Sequence, residues 1–527
     1  MATNTNTNNN NNNTMRIAVT AIDAVGHLNP LVALCSGLLD KGHDIRFFLT
    51  SPINLENLEK VAKLHPNGSV SFQKYYDEPF DLQEVMAQRN ELLSDPDEYE
   101  EVTNDMFIFG LHKEVERVET YIEDVKEYSP NLIIADPVYA TPFIAASLLQ
   151  IPCVSTLTLP GFGCLPQFFG YNTEEERRKN LKMIKRGAIV TKARERLYSL
   201  YGFDYFDNFL PLSNMLPTGL NLCTSIAEFD SGIPAELMEA YSGDLTPSMS
   251  FVGPMVLTEA EGRVSGGTSG LSGAKPLGDD DAPFPHDQLA EWKREGRKIV
   301  YAAFGTVTTG FMYDPVINGS FEAKCFGARS TGKDFVMSLW PRIFRAFADN
   351  DKYAVVAATG PKETIEGLEI PSNFIVRQRC PQIACLEQAD VFITHGGFNS
   401  TMESICAKVP MLVMPYFADQ FDNGRLVTRE RIGKHYENPV ESADWQTISN
   451  DIDSLLMLGD SLGENMDRLQ KSIESAGGTE AAVNAVEKYV ANFKGHSKLK
   501  TKPELLQRCS TGSFRGLEPE VFTNLEI

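Results

Sequence analysis

Twice in this chain a short β-rich run leads through a turn into a helix and on to another β-rich run. In the first series RIAVT (residues 16–20) precedes a glycine-containing turn, then LNPLVALCSGLLDKGH with apolar residues at helical spacing, then the strand DIRFFLT. NLIIAD, PVYATPFIAASLLQ and IPCVSTLT repeat strand, helix and strand, and residues 81–128 are charged and helical. In the second series RKIVYAAF, KYAVVAAT, NFIVRQ, ADVFITH and PMLVMP read as strands, with FVMSLWPRIFRAFAD and NSTMESICAKV as helices. Such alternation builds parallel sheets covered by helices. Residues 258–285 separate the two series and are rich in Gly, Ser, Pro and Asp, which predicts a flexible linker. The expected organisation is a disordered Asn-rich tail (1–14), a first domain (15–257), the linker (258–285), a second domain (286–490) and a C-terminal extension (491–527). Residues 311–333 read as a surface loop inserted in the second domain. Two α/β domains joined by a linker leave a cleft between them, a usual place for a ligand.

Composition narrows the partners. The 527 residues carry 48 Lys+Arg against 71 Asp+Glu, a net charge of -23, which argues against nucleic acid or an anionic membrane as the main partner. A small anion is still allowed, because backbone N–H groups can supply local positive potential. The polar start MATNTNTNNNNNNTM lacks the basic and apolar regions of a secretory signal, and no window has the ~20 apolar residues of a spanning helix. The nine cysteines are scattered, without a C-x-x-C pair, which fits free thiols in a reducing compartment better than a disulfide frame. The expectation is a soluble cytoplasmic protein with no stable membrane insertion.

The sharpest segment runs from Arg379 to Asn423. ADVFIT reads as a buried strand, HGG as a tight turn that lets a ligand approach the backbone, and Asn399 or Ser400 as a cap for the next helix. A strand, a glycine turn and a helix N-terminus together make an anion site, although a purely structural α/β turn accounts for the local pattern equally well. The segment resembles the donor-binding signature of the family 1 UDP-sugar glycosyltransferases. The corresponding parts are Arg379-Cys-Pro381-Gln382, Thr394-His395-Gly-Gly397-Phe-Asn399-Ser400, Glu403, Pro410, Pro415 and Asp419-Gln420-Phe-Asp-Asn423. Arg379 is a departure, standing where the family usually has a Trp that stacks on uracil; a guanidinium plane can stack there too.

The resemblance implies the GT-B fold, two Rossmann-like βαβ domains facing each other across a cleft. It further implies that Gln382 and the backbone near Arg379 hold uracil, and that Glu403 accepts from the ribose hydroxyls. His395, Gly397, Asn399 and Ser400 would hold the diphosphate, with Gly305 and Thr306 of VYAAFGTVTT facing it too. Asp419 and Gln420 would bind the sugar, and the final Gln points to glucose.

Gly26-His27-Leu-Asn-Pro30 lies in the first strand-to-helix loop. Taken alone, His27 reads as a solvated loop residue or a cap. The resemblance makes it the catalytic base, and makes Asp136, which alone could be an N-cap, its carboxylate partner. An attacking hydroxyl must lose a proton, and a base titrating near neutrality suits that task. Asp279-Asp280-Asp281 lies in the linker with no strand before it and reads as a solvated charge run rather than a metal motif. There is no G-x-G-x-x-G after RIAVT and no G-x-S-x-G or Walker-type run.

The expected activity is inverting, metal-independent transfer of a hexosyl group, glucose first, from a UDP-sugar to a hydroxyl, with no cofactor. The acceptor expected is a lipophilic small molecule such as a phenol or flavonoid. Phe162, Phe168, Phe169, Tyr171, Tyr198, Tyr201, Phe203, Tyr205, Phe206 and Phe209 would either line its pocket or pack the core. The alternatives are a sterol or lipid glycosyltransferase of the same fold and a non-catalytic nucleotide-sugar-binding protein.

Overall fold

The structure, a computed structural model, describes residues 14–20, 24–49, 55–74, 106–137, 139–161, 188–203, 219–232, 249–264, 283–311, 313 and 330–496. The first sheet comprises β1 (Arg16–Thr20), β2 (Asp44–Leu49), β3 (Ser69–Lys74), β4 (Leu132–Ala135), β5 (Cys153–Leu157), β6 (Leu220–Cys223) and β7 (Met249–Phe251), in the order β3-β2-β1-β4-β5-β6-β7. The second comprises β8 (Lys298–Ala303), β9 (Tyr353–Ala358), β10 (Phe374–Arg377), β11 (Val391–Thr394), β12 (Met411–Val413) and β13 (Gly433–His435), in the order β10-β9-β8-β11-β12-β13. Every pairing is parallel. Strands covered on both faces need continuous apolar runs, and LIIA, CVSTL and VFIT are buried at every position. The two α/β domains expected from the alternation are therefore present.

Each sheet has one place where the chain reverses its direction of strand addition, and ligand crevices of open α/β sheets lie at such switch points. In the first sheet it lies between β1 and β4: Thr20 pairs with Ala135, so the next loops, bearing His27 and Asp136, leave side by side. In the second it lies between β8 and β11: Ala303 pairs with Thr394, so Gly305 and His395 emerge together.

The second domain has one core, in which Trp340 packs edge-on against Phe304 and Phe344. The first sheet has a core on each face. One of these contains Ala482, Val483 and Val486 of the last helix, Gly478–Asn492, which corrects the expected boundary at residue 490. That helix crosses back onto the helix Val25–Asp40. A Cβ on Gly37 would stand 2.8 Å from a Val483 methyl, so the close crossing requires glycine there. From within the helix the Tyr489 hydroxyl accepts from the Cys153 N–H at 3.3 Å, and beyond it His496 Nε2 lies 2.7 Å from the Ile151 carbonyl. The start of the expected C-terminal extension is thus seated on the first domain.

The linker expectation is corrected at its described ends. Residues 258–264 form a compact turn, closed by Thr258 donating through its N–H and hydroxyl to Glu261, and Val264 is fully buried in the first domain. Phe284 packs on the second core. In the expected surface loop 311–333, Tyr313 is fully buried with its hydroxyl 2.9 Å from that of Thr364, and the helix Gly332–Phe347 has already begun. The rest of both segments, residues 265–282 with the aspartate run and residues 314–329, lies outside the described residues, as do 1–13 and 497–527. Of the ten aromatics, Tyr201 and Phe203 belong to the core, Tyr198 is half-buried, and the other seven lie outside the described residues.

Candidate active site

His27 sits in the first turn of the helix Val25–Asp40, directly after β1. Asp136 follows β4, and its N–H donates to the Thr20 carbonyl of β1 at 3.1 Å. This register brings the two side chains together with His27 Nδ1 2.7 Å from Asp136 Oδ2. The carboxylate is 1% exposed and the imidazole 36%, so the acid is sheltered while Nε2 remains to face the cleft. Burial works against protonation of His27, but the charge and hydrogen bond of Asp136, with the charge of Asp419 farther off, outweigh it and raise the pKa above the ordinary 6.5. Asp136 does not cap the following helix, whose N-cap is Ala140. The alternative reading of Asp136 as a helix cap is thereby removed.

Across the cleft, His395 ends β11 under very different conditions. Burial pushes its pKa down to about 4, against a smaller opposing contribution from a hydrogen bond with the Ala303 backbone, so the ring is neutral at physiological pH. It can give a diphosphate a hydrogen bond but no charge. Two glycines make room for it. Gly305 has φ +76°, and a Cβ there would lie 2.4 Å from His395 Nε2; a Cβ on Gly397 would lie 2.5 Å from the same nitrogen. Side-chain carbons at either place would fill the space of the ring, so these glycines seat the imidazole as well as opening the backbone to a ligand. Thr306 is half-buried after Gly305, where the chain enters a π-helical turn over Val307–Phe311.

The helix after the HGG turn starts at Phe398 with Gly397 as its N-cap and no side-chain cap, which corrects the capping expected of Asn399 or Ser400. Asn399 instead reaches across the cleft and donates from Nδ2 to the Gly26 carbonyl, one residue before His27. The Ser400 hydroxyl accepts from Gln382 Nε2 at 3.1 Å. The same Gln382 nitrogen donates to Glu403 Oε2 at 2.6 Å, and the Tyr301 hydroxyl reaches Gln382 Oε1 at 3.4 Å. Arg379 is half-buried. Gln382, Ser400 and Glu403 therefore form one hydrogen-bonded patch.

Asp419 and Gln420 part company. Burial raises Asp419 to about 6; Asn423, 2.7 Å away through Nδ2, and His27 pull against that rise. Gln420 is 3% exposed, and its Oε1 accepts from the N–H groups of Tyr416 and Phe417 at 2.8 and 3.2 Å. Its carbonyl braces the loop rather than facing a ligand. Asn423 also donates to the Gly396 carbonyl at 2.8 Å, tying the end of the motif to the HGG turn. Nothing in the sequence around Asn423 points to this bracing role. Arg263, whose Nη1 lies 2.7 Å from Glu403 Oε1, carries no sequence signal beyond being one of two cations in the glycine-rich stretch 258–285.

Comparison with known proteins points the same way. The family model for UDP-glucoronosyl and UDP-glucosyl transferase matches residues 366–471. The NDP-glycosyltransferase YjiC of Bacillus licheniformis is 24% identical over 482 residues, covering 90% of this chain and 98% of that protein. A Bacillus subtilis protein described as an uncharacterized UDP-glucosyltransferase, YojK, is 25% identical over 88% of this chain and 94% of its own. Among solved structures, the glycosyltransferase SnogD from Streptomyces nogalater superposes with a TM-score of 0.57 at 17% identity, covering 90% of this chain and all of that one, so the GT-B fold is common to both.

Proposed function

We infer that this chain, a member of the family 1 UDP-glycosyltransferases and hence a glycosyltransferase, transfers glucose from UDP-glucose to a hydroxyl of a lipophilic small molecule, inverting the anomeric carbon. The observation that carries this reading is the His27–Asp136 pair, 2.7 Å apart, with the imidazole open to the cleft and the acid buried. His27 Nε2 accepts the proton of the acceptor hydroxyl as its oxygen bonds to the anomeric carbon. The bond to UDP breaks on the opposite face, and UDP leaves with the electron pair. Asp136 holds the imidazole in the tautomer that keeps Nε2 basic and stabilises the imidazolium that forms.

In the same reading Glu403 takes the ribose hydroxyls, and Gln382 with the backbone at Arg379 holds the uracil. The diphosphate lies at the helix start formed by Gly397, Asn399 and Ser400, beside neutral His395, Gly305 and Thr306. Asp419 faces the sugar, and Gln420 holds the loop behind it through the Tyr416 and Phe417 N–H groups. Fixed N–H and O–H donors aimed at the departing diphosphate stabilise its charge without reorganisation, so the reading calls for no metal and no cofactor. YojK's description favours glucose as the sugar. In the same reading the acceptor lies on the first-domain side of the cleft, beside His27. The thiols of Cys35, Cys153, Cys385 and Cys406, free among the described residues, support a cytoplasmic setting. The intact dyad weighs against a purely nucleotide-sugar-binding role, and the acidic charge against a lipid-surface enzyme.

The test is mass spectrometry of reactions pairing UDP-glucose, UDP-galactose, UDP-glucuronate and UDP-N-acetylglucosamine with phenols, flavonoids and sterols. The expected result is a product one hexose heavier from UDP-glucose and a phenol or flavonoid. Products from sterols alone would move the acceptor class, and no product from any pair would overturn the enzymatic reading.

A further inference from the structure

Glu403 is the carboxylate assigned to the ribose, yet in the ligand-free chain both of its oxygens already have partners. Gln382 Nε2 donates to Oε2 at 2.6 Å, and Arg263 Nη1 sits 2.7 Å from Oε1. The pair is secluded, with Arg263 10% and Glu403 5% exposed, so little of the carboxylate is open to an incoming hydroxyl. Arg263 belongs to neither sheet; it comes from the turn that leads out of the first domain. That turn is firmly built. The Arg263 N–H donates to the Thr258 carbonyl at 3.0 Å, and Gly262 takes φ +92° where a Cβ would lie 3.1 Å from Val61. One residue on, Val264 and Asn29 exchange two hydrogen bonds: the Val264 N–H to Asn29 Oδ1 at 2.8 Å, and Asn29 Nδ2 to the Val264 carbonyl at 3.2 Å. Asn29 stands two residues after His27 on the same helix. The crevice beside the ion pair is lined from both domains, by Asn29, Pro30, Met255, Arg263, Asn399 and Glu403.

We propose that Arg263 is the gate of the donor's ribose site: its guanidinium occupies Glu403 in the free enzyme, and the ribose hydroxyls of the nucleotide sugar must displace it. This rests on the assignment of Glu403 to the ribose. The exchange is one of hydrogen-bond partners only. Glu403 gives up Nη1 and accepts from a ribose O–H, while the guanidinium withdraws along its own side chain, its backbone being held by Thr258 and the Asn29–Val264 clamp. Part of the donor's binding free energy is therefore spent in breaking a buried ion pair. Because the clamp is on the helix of His27, the gate ties donor entry to the element that carries the base.

The test is calorimetric binding of UDP and of inorganic pyrophosphate to the wild-type enzyme, Arg263→Met and Glu403→Gln. Without the guanidinium Glu403 keeps Gln382 on Oε2 but loses its counter-charge and its partner on Oε1, which favours an incoming donor there. The expected result is UDP binding about tenfold tighter in Arg263→Met, which corresponds to about 1.4 kcal/mol, with pyrophosphate affinity unchanged. Weaker or equal UDP binding in Arg263→Met, while Glu403→Gln weakens UDP binding, overturns the gate and leaves the ribose assignment standing. Equal tightening for UDP and pyrophosphate also overturns it, because the effect would then be one of charge and not of ribose. UDP affinity unchanged in Glu403→Gln overturns the ribose assignment itself. Should Arg263→Met fail to fold, the structure of the wild-type UDP complex decides: Arg263 parted from Glu403 with the ribose in its place supports the gate, and a persisting ion pair contradicts it.

Discussion

Replacing His27 by alanine lowers sugar transfer on the order of 10²- to 10⁴-fold, the usual worth of a positioned general base, and leaves the affinity for UDP near its wild-type value. The two effects separate because the base and the nucleotide patch stand on different sheets. Gln382, Ser400 and Glu403 keep their mutual hydrogen bonds whether or not an imidazole faces them. Steady-state turnover and UDP titration on the same preparation check this. Turnover close to wild type would remove His27 from the chemistry. Loss of turnover together with loss of UDP binding would mean that the substitution had disturbed the Gly26 loop and its bond from Asn399.

Asp136→Asn should be nearly as costly and should also change the pH profile. Asn cannot supply the negative charge that, with its hydrogen bond, lifts the His27 pKa against burial. It can also present an N–H to Nδ1, driving the ring proton to Nε2, where the basic lone pair is needed; loss of the correct tautomer costs on the order of 10⁴-fold in the serine hydrolase triad. The sign for pH follows from the base being active only when neutral. In the wild type the pKa is raised, so kcat/KM falls as pH drops through a value above the ordinary 6.5. In Asp136→Asn burial dominates, and the acid limb moves to lower pH while the plateau falls. A limb that stays in place would assign that titration to another group; Asp419, raised to about 6 by burial, is the first to examine.

How far the sequence foretold this arrangement differs from residue to residue. The central strands were legible because a strand buried on both faces must be apolar throughout, as in LIIA and VFIT. SVSFQK of β3, with its mixed polarity at the sheet edge, gave no such signal, and GKH of β13 is too short to show a period. The last helix could be read as having a buried face, but nothing local says that this face is for the first domain. That depends on Gly37 and Val483, more than 400 residues apart in the chain. In the site, His27, Asp136 and His395 stood at strand ends, where parallel topology alone gathers side chains at one edge. The partners of Asn399 and Glu403 could not be read, because Gly26 and Arg263 reach them across the domain boundary. Arg263 was hidden further by its neighbours, since Gly- and Ser-rich composition reports low apolar content and is silent about a single ion pair.

The proposed donor is a dianion and the chain is acidic, with a net charge of -23. His395 is neutral, so the diphosphate would meet hydrogen-bond donors and a helix start rather than a cationic histidine. In the proposed reading the His27–Asp136 pair serves the acceptor's proton instead.

The central claim is a single direct displacement driven by His27 from the side opposite the leaving UDP. Its most direct test is the anomeric configuration of the product made from UDP-glucose, read from the proton coupling at the anomeric carbon by NMR. The expected product is a β-linked glucoside, the inverse of the α-linked donor. An α-linked product would contradict it, because retention requires either two displacements or attack from the side of the departing diphosphate.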